Sequence, residues 1–162
     1  SYDVVIHASE ELAALLPSQL LFQEECLLGM SIHHPLAKEK EITPSMLQNE
    51  KFILLTQENT LGDLTRRYFV PLGIHPKVPL ECDNQQTVTA LVEQNMGLAF
   101  FPAITWKVMT DQITLRKIPN YTLKRNIYLS CSSPDPSKSV SIFIDYMKKA
   151  IRYELHKEEY QL

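Results

Sequence analysis

The stretch from Glu81 to Pro102 constrains the fold most, because it joins a capped amphipathic helix to a wholly apolar strand with almost nothing between them. Asp83 and Gln86 have the spacing of a capping box and precede Val88, Leu91, Val92 and Met96, which repeat at helical intervals. Asn95 and Gly97 follow the last apolar turn, and both residue types tolerate the left-handed backbone that ends helices. Leu98-Ala99-Phe100-Phe101 then reads as a strand buried on both faces and stopped by Pro102. A helix feeding directly into such a strand is half of a βαβ unit.

The preceding residues supply the other half. Lys51 to Thr56 is an apolar run of strand length, Lys77 to Cys82 a weaker one, and between them Thr60 and Asp63 form a second capping pair ahead of Leu64, Tyr68 and Phe69. That helix should stop at Pro71 and Gly73. The middle of the chain therefore reads as strand 51–56, helix 60–71, strand 77–82, helix 83–96 and strand 98–101, with neighbouring strands parallel. Ligands of such sheets collect at the carboxyl ends of the strands, beside the helix N-termini. This makes Thr56 to Thr60 and Asp83 to Thr87 the candidate site.

Uncharged hydrogen-bonding side chains cluster at these two helix entries: Thr56, Gln57, Asn59 and Thr60 at one, and Asn84, Gln85 and Thr87 at the other; Thr56, Gln57, Asn59, Thr60 and Asn84, with Phe101 closing the third strand, are the expected contacts. They can bind a ligand, or they can be turn and capping residues. Free amides and the helix dipole favour an acceptor-rich or anionic group, so a small polar acid is the expected ligand class. Glu58, Asp63 and Asp83 lie near the same mouth, and if they point inward they favour a neutral or amine-bearing ligand instead.

Around this middle, Tyr2 to Ile6 reads as a strand that needs neighbours, which leads to the expectation of further chain upstream. Ser9 to Pro17 reads as loop or a short helical turn, and Gln19 to Ile32 as a long strand connecting two lobes. Its polar Gln23-Glu24-Glu25 predicts an exposed crossing or bend. His33 and His34 are adjacent, so in extended backbone they face opposite ways and suit a loop rather than a metal site. Thr43-Pro44 starts a short helix through Leu47, and Ala103 to Met109 reads as another, carrying the chain's one tryptophan, Trp106, as a packing residue. Ile113 to Ile118 and Asn126 to Cys131 read as strands. Ser137 caps a terminal helix with Val140, Phe143, Ile144, Met147, Ile151 and Leu155 as its apolar stripe.

Composition excludes several function classes. The 162 residues are 44% hydrophobic and 22% charged with a net charge of −3, the makeup of a globular protein with no basic surface to hold nucleic acid. The one dense charge run, Lys38-Glu39-Lys40-Glu41, fits a solvated loop. Cys26, Cys82 and Cys131 are scattered in apolar patterns, as buried reduced thiols are, which points to a cytoplasmic protein. No run reaches the roughly 20 apolar residues of a membrane span. No nucleophile elbow, phosphate-binding loop, dinucleotide fingerprint or Cys-x-x-Cys pair occurs, and the adjacent pairs Glu24/Glu25 and Glu158/Glu159 read as exposed, so neither enzymatic chemistry nor a cofactor is expected.

With these elements in order, the sequence resembles the effector-binding domain of LysR-type transcriptional regulators. The residues that carry the resemblance are His34-Pro35-Leu36-Ala37 after a long strand, Ile42 to Leu47, Phe52-Ile53-Leu54, Val88 to Pro102 as the family's Val-x-x-Gly-x-Gly-Ile-Ala-x-x-Pro element, and Arg125-x-Ile127-Tyr128-Leu129. Asn95 stands where the family usually has Gly, which Asn can replace in left-handed backbone. The resemblance implies an α/β fold like type 2 periplasmic binding proteins: two lobes, a mainly parallel sheet in the distal one, and a small-molecule site in the cleft. By that likeness residues 21–128 are the distal lobe, and residues 1–20 and 129–162 part of an incomplete proximal lobe. It also implies a small-molecule effector as partner, DNA contact only through a helix-turn-helix outside these residues, and a homodimer or homotetramer. Two alternatives remain: a solute-binding protein of a transport system, and an enzyme on a similar fold.

Overall fold

Helices and strands alternate along the chain in the computed structural model, which describes residues 3–159. In order they are β1 (Val4–His7), α1 (Glu10–Leu15), β2 (Ser18–Ser31), β3 (Lys51–Leu55), α2 (Thr60–Phe69), β4 (Lys77–Cys82), α3 (Gln85–Glu93), β5 (Ala99–Pro102), β6 (Ile113–Arg116), β7 (Leu123–Cys131) and α4 (Lys138–Glu159). Tyr2, expected in the first strand, lies outside the described residues. The chain divides into two units, Glu24–Arg125 and Ser1–Gln23 with Asn126–Leu162.

In the unit Glu24–Arg125, β3 and β4 pair in parallel, with Leu54 opposite Glu81 and Leu55 opposite Cys82. Leu98 bridges to Phe52 in the parallel sense at the head of β5: its amide donates to the Lys51 carbonyl at 2.8 Å, and the Ile53 amide donates to its carbonyl at 2.8 Å. Phe52 to Leu55 are all buried because α2 and α3 both pack against β3, which is why this strand reads as a continuous apolar run. Phe52 meets Phe69 of α2 edge-on at 4.8 Å between ring centroids, a favourable aromatic geometry.

The remaining strands of this unit are antiparallel. β2 pairs with β5, Leu27 opposite Phe101, and with β6, Gly29 opposite Leu115. The parallel pair β3–β4 thus forms a sheet of its own that carries the helix entries, and the Leu98 bridge joins it to the antiparallel strands. A Cβ on Gly29 would lie 2.3 Å from the Phe101 ring, so glycine is what lets that ring cross β2.

Two local expectations are corrected. Gln23-Glu24-Glu25 is no exposed bend, because β2 runs through it unbroken and Glu24 is buried. Its Oε2 accepts from the amides of Ile104 at 3.1 Å and Thr105 at 2.9 Å, and its Oε1 from the Thr105 hydroxyl and Arg125 Nε, each at 2.7 Å. A fully paired carboxylate can be buried where a free one cannot. The segment 103–109 forms turns rather than a helix, with Trp106 drawn onto Phe101 at 4.7 Å between ring centroids.

The paired histidines behave as loop residues. His34 Nδ1 accepts from the Leu36 amide at 3.2 Å, capping a short 3-10 turn, and no cluster of metal-ligating side chains occurs among the described residues. The Lys38–Glu41 run is exposed, but Arg116 of β6 staples its backbone by donating to the carbonyls of Glu39 at 2.7 Å and Lys40 at 3.1 Å.

In the other unit, β1 pairs antiparallel with β7, which lies between β1 and β2. Leu129, Cys131 and Ile144 form its buried centre, with Val4, Leu21 and Val140 around them. Val140, Ile144, Met147, Ile151 and Leu155 are the inward line of α4; Phe143, expected among them, is 47% exposed because it falls at the edge of that stripe. Ser130 is buried and held at 2.6 Å by His7 Nε2 and at 2.5 Å by the Ser18 hydroxyl.

Candidate functional site

The residues singled out by the sequence fall on one edge of the Glu24–Arg125 unit. Thr56 ends β3, and its amide donates to the Cys82 carbonyl at 2.9 Å, which holds the 56–60 loop beside the loop that leads from β4 into α3. Both helices therefore start at the carboxyl ends of parallel strands, where their first amides face outward. Gly62 is essential to this closeness: a Cβ there would lie 2.2 Å from the Thr56 carbonyl oxygen and 2.5 Å from that of Leu55.

The caps shift by one residue from those the sequence suggests. Asn59, not Thr60, is the N-cap of α2, its Oδ1 accepting from the Leu61 amide at 2.9 Å. Asn84, not Asp83, is the N-cap of α3, its Oδ1 accepting from the Thr87 amide at 2.9 Å. Asparagine takes the role because its oxygen reaches the second or third amide from an extended backbone, at φ −80° and ψ 130° in Asn59. The side chains of Thr56, Gln57 and Thr60 make no hydrogen bond among the described residues; Thr56 is half-buried and the other two are exposed. The amides of Thr60 and Gly62 likewise meet no protein acceptor.

The six expected site residues thus divide in three ways. Thr56, Gln57 and Thr60 are together and uncommitted, whereas Asn59 and Asn84 are beside them but occupied as caps. Phe101 is fully buried, its ring packed on Trp106 and over Gly29, so it supports the strand ends from inside.

Charge at this edge is only partly paired. Asp63 accepts from Arg67 at 2.9 Å, whereas Asp83 accepts from the neutral Asn84 side-chain amide at 2.7 Å and exposed Glu58 has no ion pair among the described residues. Arg66, which the sequence reading missed, is the half-buried cation: Nη1 donates to the Leu55 carbonyl at 2.9 Å and Nη2 to Glu81 at 2.6 Å. Its signal lay in the sequence, since Arg66 stands about two turns beyond the Asn59 cap of α2 and so returns to the same face, beside the strand end. Arginines offset Asp63 and Glu81, while Glu58 and Asp83 leave negative charge beside the field of the α2 N-terminus. Cys82 is buried behind the loop, and burial pushes its thiol pKa up, as it does for Cys26, which is raised to about 12. Neither is a nucleophile at neutral pH.

The chain as a whole has known counterparts. The LysR substrate binding domain model matches residues 1–152. The chain belongs to the LysR substrate-binding domain family. A malolactic fermentation system transcriptional activator from Lactococcus lactis subsp. lactis (strain IL1403) is 33% identical to it over 121 residues, 68% of this chain and 41% of the relative. The chain therefore spans under half the length of that relative. Among solved structures, the regulatory domain of CcmR from Synechocystis PCC6803, in complex with 2-PG, superposes with a TM-score of 0.78 at 18% identity, covering 92% of this chain and 73% of that one. The effector binding domain of QuiR in complex with shikimate gives 0.76 at 22% identity, covering 94% and 71%. These likenesses establish the LysR fold, which is that of type 2 periplasmic binding proteins.

Proposed function

We propose that this LysR domain senses a small polar acid, and that the acid is held at the 56–60 loop by the Thr56 and Thr60 hydroxyls, the Gln57 amide and the free amides of Thr60 and Gly62. The observation that carries the reading is the division of labour at the loop: the asparagines cap, and the two threonines and the glutamine are left with nothing to bond. Uncommitted polar side chains beside unpaired amides at a helix start favour an anionic acceptor over water alone. Shikimate, bound by QuiR, is a carboxylate, which supports the same ligand class here. In a longer protein carrying a DNA-binding segment, ligand binding would bias a conformational equilibrium and so alter transcription, with a homodimer or homotetramer as the working form.

Calorimetry with a panel of small carboxylates that includes shikimate tests the reading. Thr56→Ala, Gln57→Ala and Thr60→Ala should each weaken the acid that binds by about tenfold to a hundredfold, the worth of one hydrogen bond to a charged group. The unliganded protein should unfold at an unchanged temperature. Asn59→Ala should do the reverse and cost about 1 kcal/mol of stability. If the three variants bind as tightly as the parent, these residues are only loop.

A further inference from the structure

A second recess lies in the Glu24–Arg125 unit, outside the 56–60 loop. A groove of about 450 Å³ runs along α3 and is walled on its other bank by the segment Thr105–Thr110. Its volume falls within the roughly 300–1,000 Å³ of small-molecule sites. The start of the second bank is held in place, because Thr105 is bonded to both Glu24 and Arg125 and Trp106 is packed on Phe101, while Lys107 to Met109 continue from it as irregular chain. A wall fixed in advance lowers the ordering cost of binding.

The charges of the groove decide what it can take. Glu93, half-buried at the end of α3, and exposed Lys107 on the other bank both line it, yet no ion pair within 4.0 Å joins them to each other or to another described residue. Gln85 and Thr89 add neutral hydrogen-bonding groups along α3, and Trp106 gives an apolar surface. Two opposite charges that face one groove and leave a gap are complementary to a molecule that carries both signs.

We propose that this groove is a second ligand site, and that it takes a zwitterion of the amino-acid class, with its ammonium on Glu93 and its carboxylate on Lys107. The groove shares Gln85 and Gln86 with the α3 entry but none of its lining residues with the 56–60 loop. Trp106, the one tryptophan of the chain, lines the groove and reports on its occupancy.

The test is a titration of Trp106 fluorescence in this chain with glycine, 4-aminobutyrate and 6-aminohexanoate, a series of increasing charge separation, beside butyrate and butylamine, which carry one charge each. At least one zwitterion should give a saturable change, with butyrate and butylamine about tenfold or more weaker, since each lacks one charged contact. Glu93→Gln and Lys107→Gln should each weaken that zwitterion by about the same factor while circular dichroism and the unfolding temperature stay those of the parent. Thr56→Ala should leave the titration unaltered, which separates a failure here from a failure at the 56–60 loop. The proposal is overturned if no zwitterion saturates, if the single-charge compounds bind equally well, or if both charge variants bind like the parent.

Discussion

At the residue scale, His7 is fixed in one tautomer by its neighbours. Its Nδ1 accepts from the Ser9 amide at 3.1 Å, while the Ser18 hydroxyl donates to the Leu16 carbonyl at 2.9 Å and so accepts from Ser130. Ser130 must then accept from His7 Nε2, which therefore carries the proton. This arrangement is the wrong one for a serine activated by a histidine base, so the buried Ser–His pair is structural. Burial lowers the His7 pKa below 6.5. With the folded pKa depressed, the unfolded chain binds the extra proton first, so the stability from neutral His7 is complete above pH 6.5 and is lost as pH falls toward the folded value. Urea unfolding between pH 8 and 5 should show that loss, and His7→Asn should flatten it.

The buried pair of Glu24 and Arg125 makes a stronger statement at the same scale. The two side chains are 0% and 12% exposed, so removing one charge strands the other. Glu24→Gln should cost about 3–5 kcal/mol by chemical denaturation. A loss under 1 kcal/mol would mean that solvent reaches the arginine. Asn95 is a gentler test: at φ 57° it ends α3, its amide bonding the Val92 carbonyl at 2.9 Å and that of Met96 bonding the Leu91 carbonyl at 3.1 Å. Asn95→Ala should cost about 1 kcal/mol, and Asn95→Gly should not.

At the scale of elements, what could be read in the sequence were the periods. The apolar run of β3, the βαβ order through β5 and the stripe of α4 follow from side-chain spacing alone, and the helices stop where left-handed residues stand. What could not be read was tertiary in origin. Glu24 looks like a solvent residue until Thr105 and Arg125 are brought to it from some 80 and 101 positions away. The 103–109 segment has helical spacing, but it forms turns with Trp106 packed onto Phe101, a tertiary contact that spacing does not show. The site was legible as a place, at two helix entries, and not as roles, because spacing cannot tell which of Asn59 and Thr60 turns its oxygen onto the helix. Gly62 connects the element to its function: Gly62→Ala should cost about 1–3 kcal/mol by pushing α2 off the Thr56 carbonyl, and should weaken ligand binding as the loop opens. Full stability and binding in that variant would show that the strand end yields freely.

On the scale of the whole molecule, α4 presents Ile142, Tyr146 and Tyr153 outward, at 62%, 67% and 68% exposure and on one face by their spacing. Exposed apolar area of this kind favours association, so sedimentation of this chain should show a weight that rises with concentration and falls back on Tyr146→Glu. A monodisperse monomer at high concentration would contradict that expectation. No helix among the described residues is long and apolar enough to cross a membrane. The larger account rests on where a small acid binds, and amide chemical shifts read that directly. In a nitrogen–proton correlation spectrum titrated with the carboxylate that binds, the amides of Gln57, Thr60 and Gly62 should move first and furthest, while those of α4 stay in place. Shifts that leave residues 56–62 untouched and gather elsewhere would contradict the assignment of this loop as the effector contact.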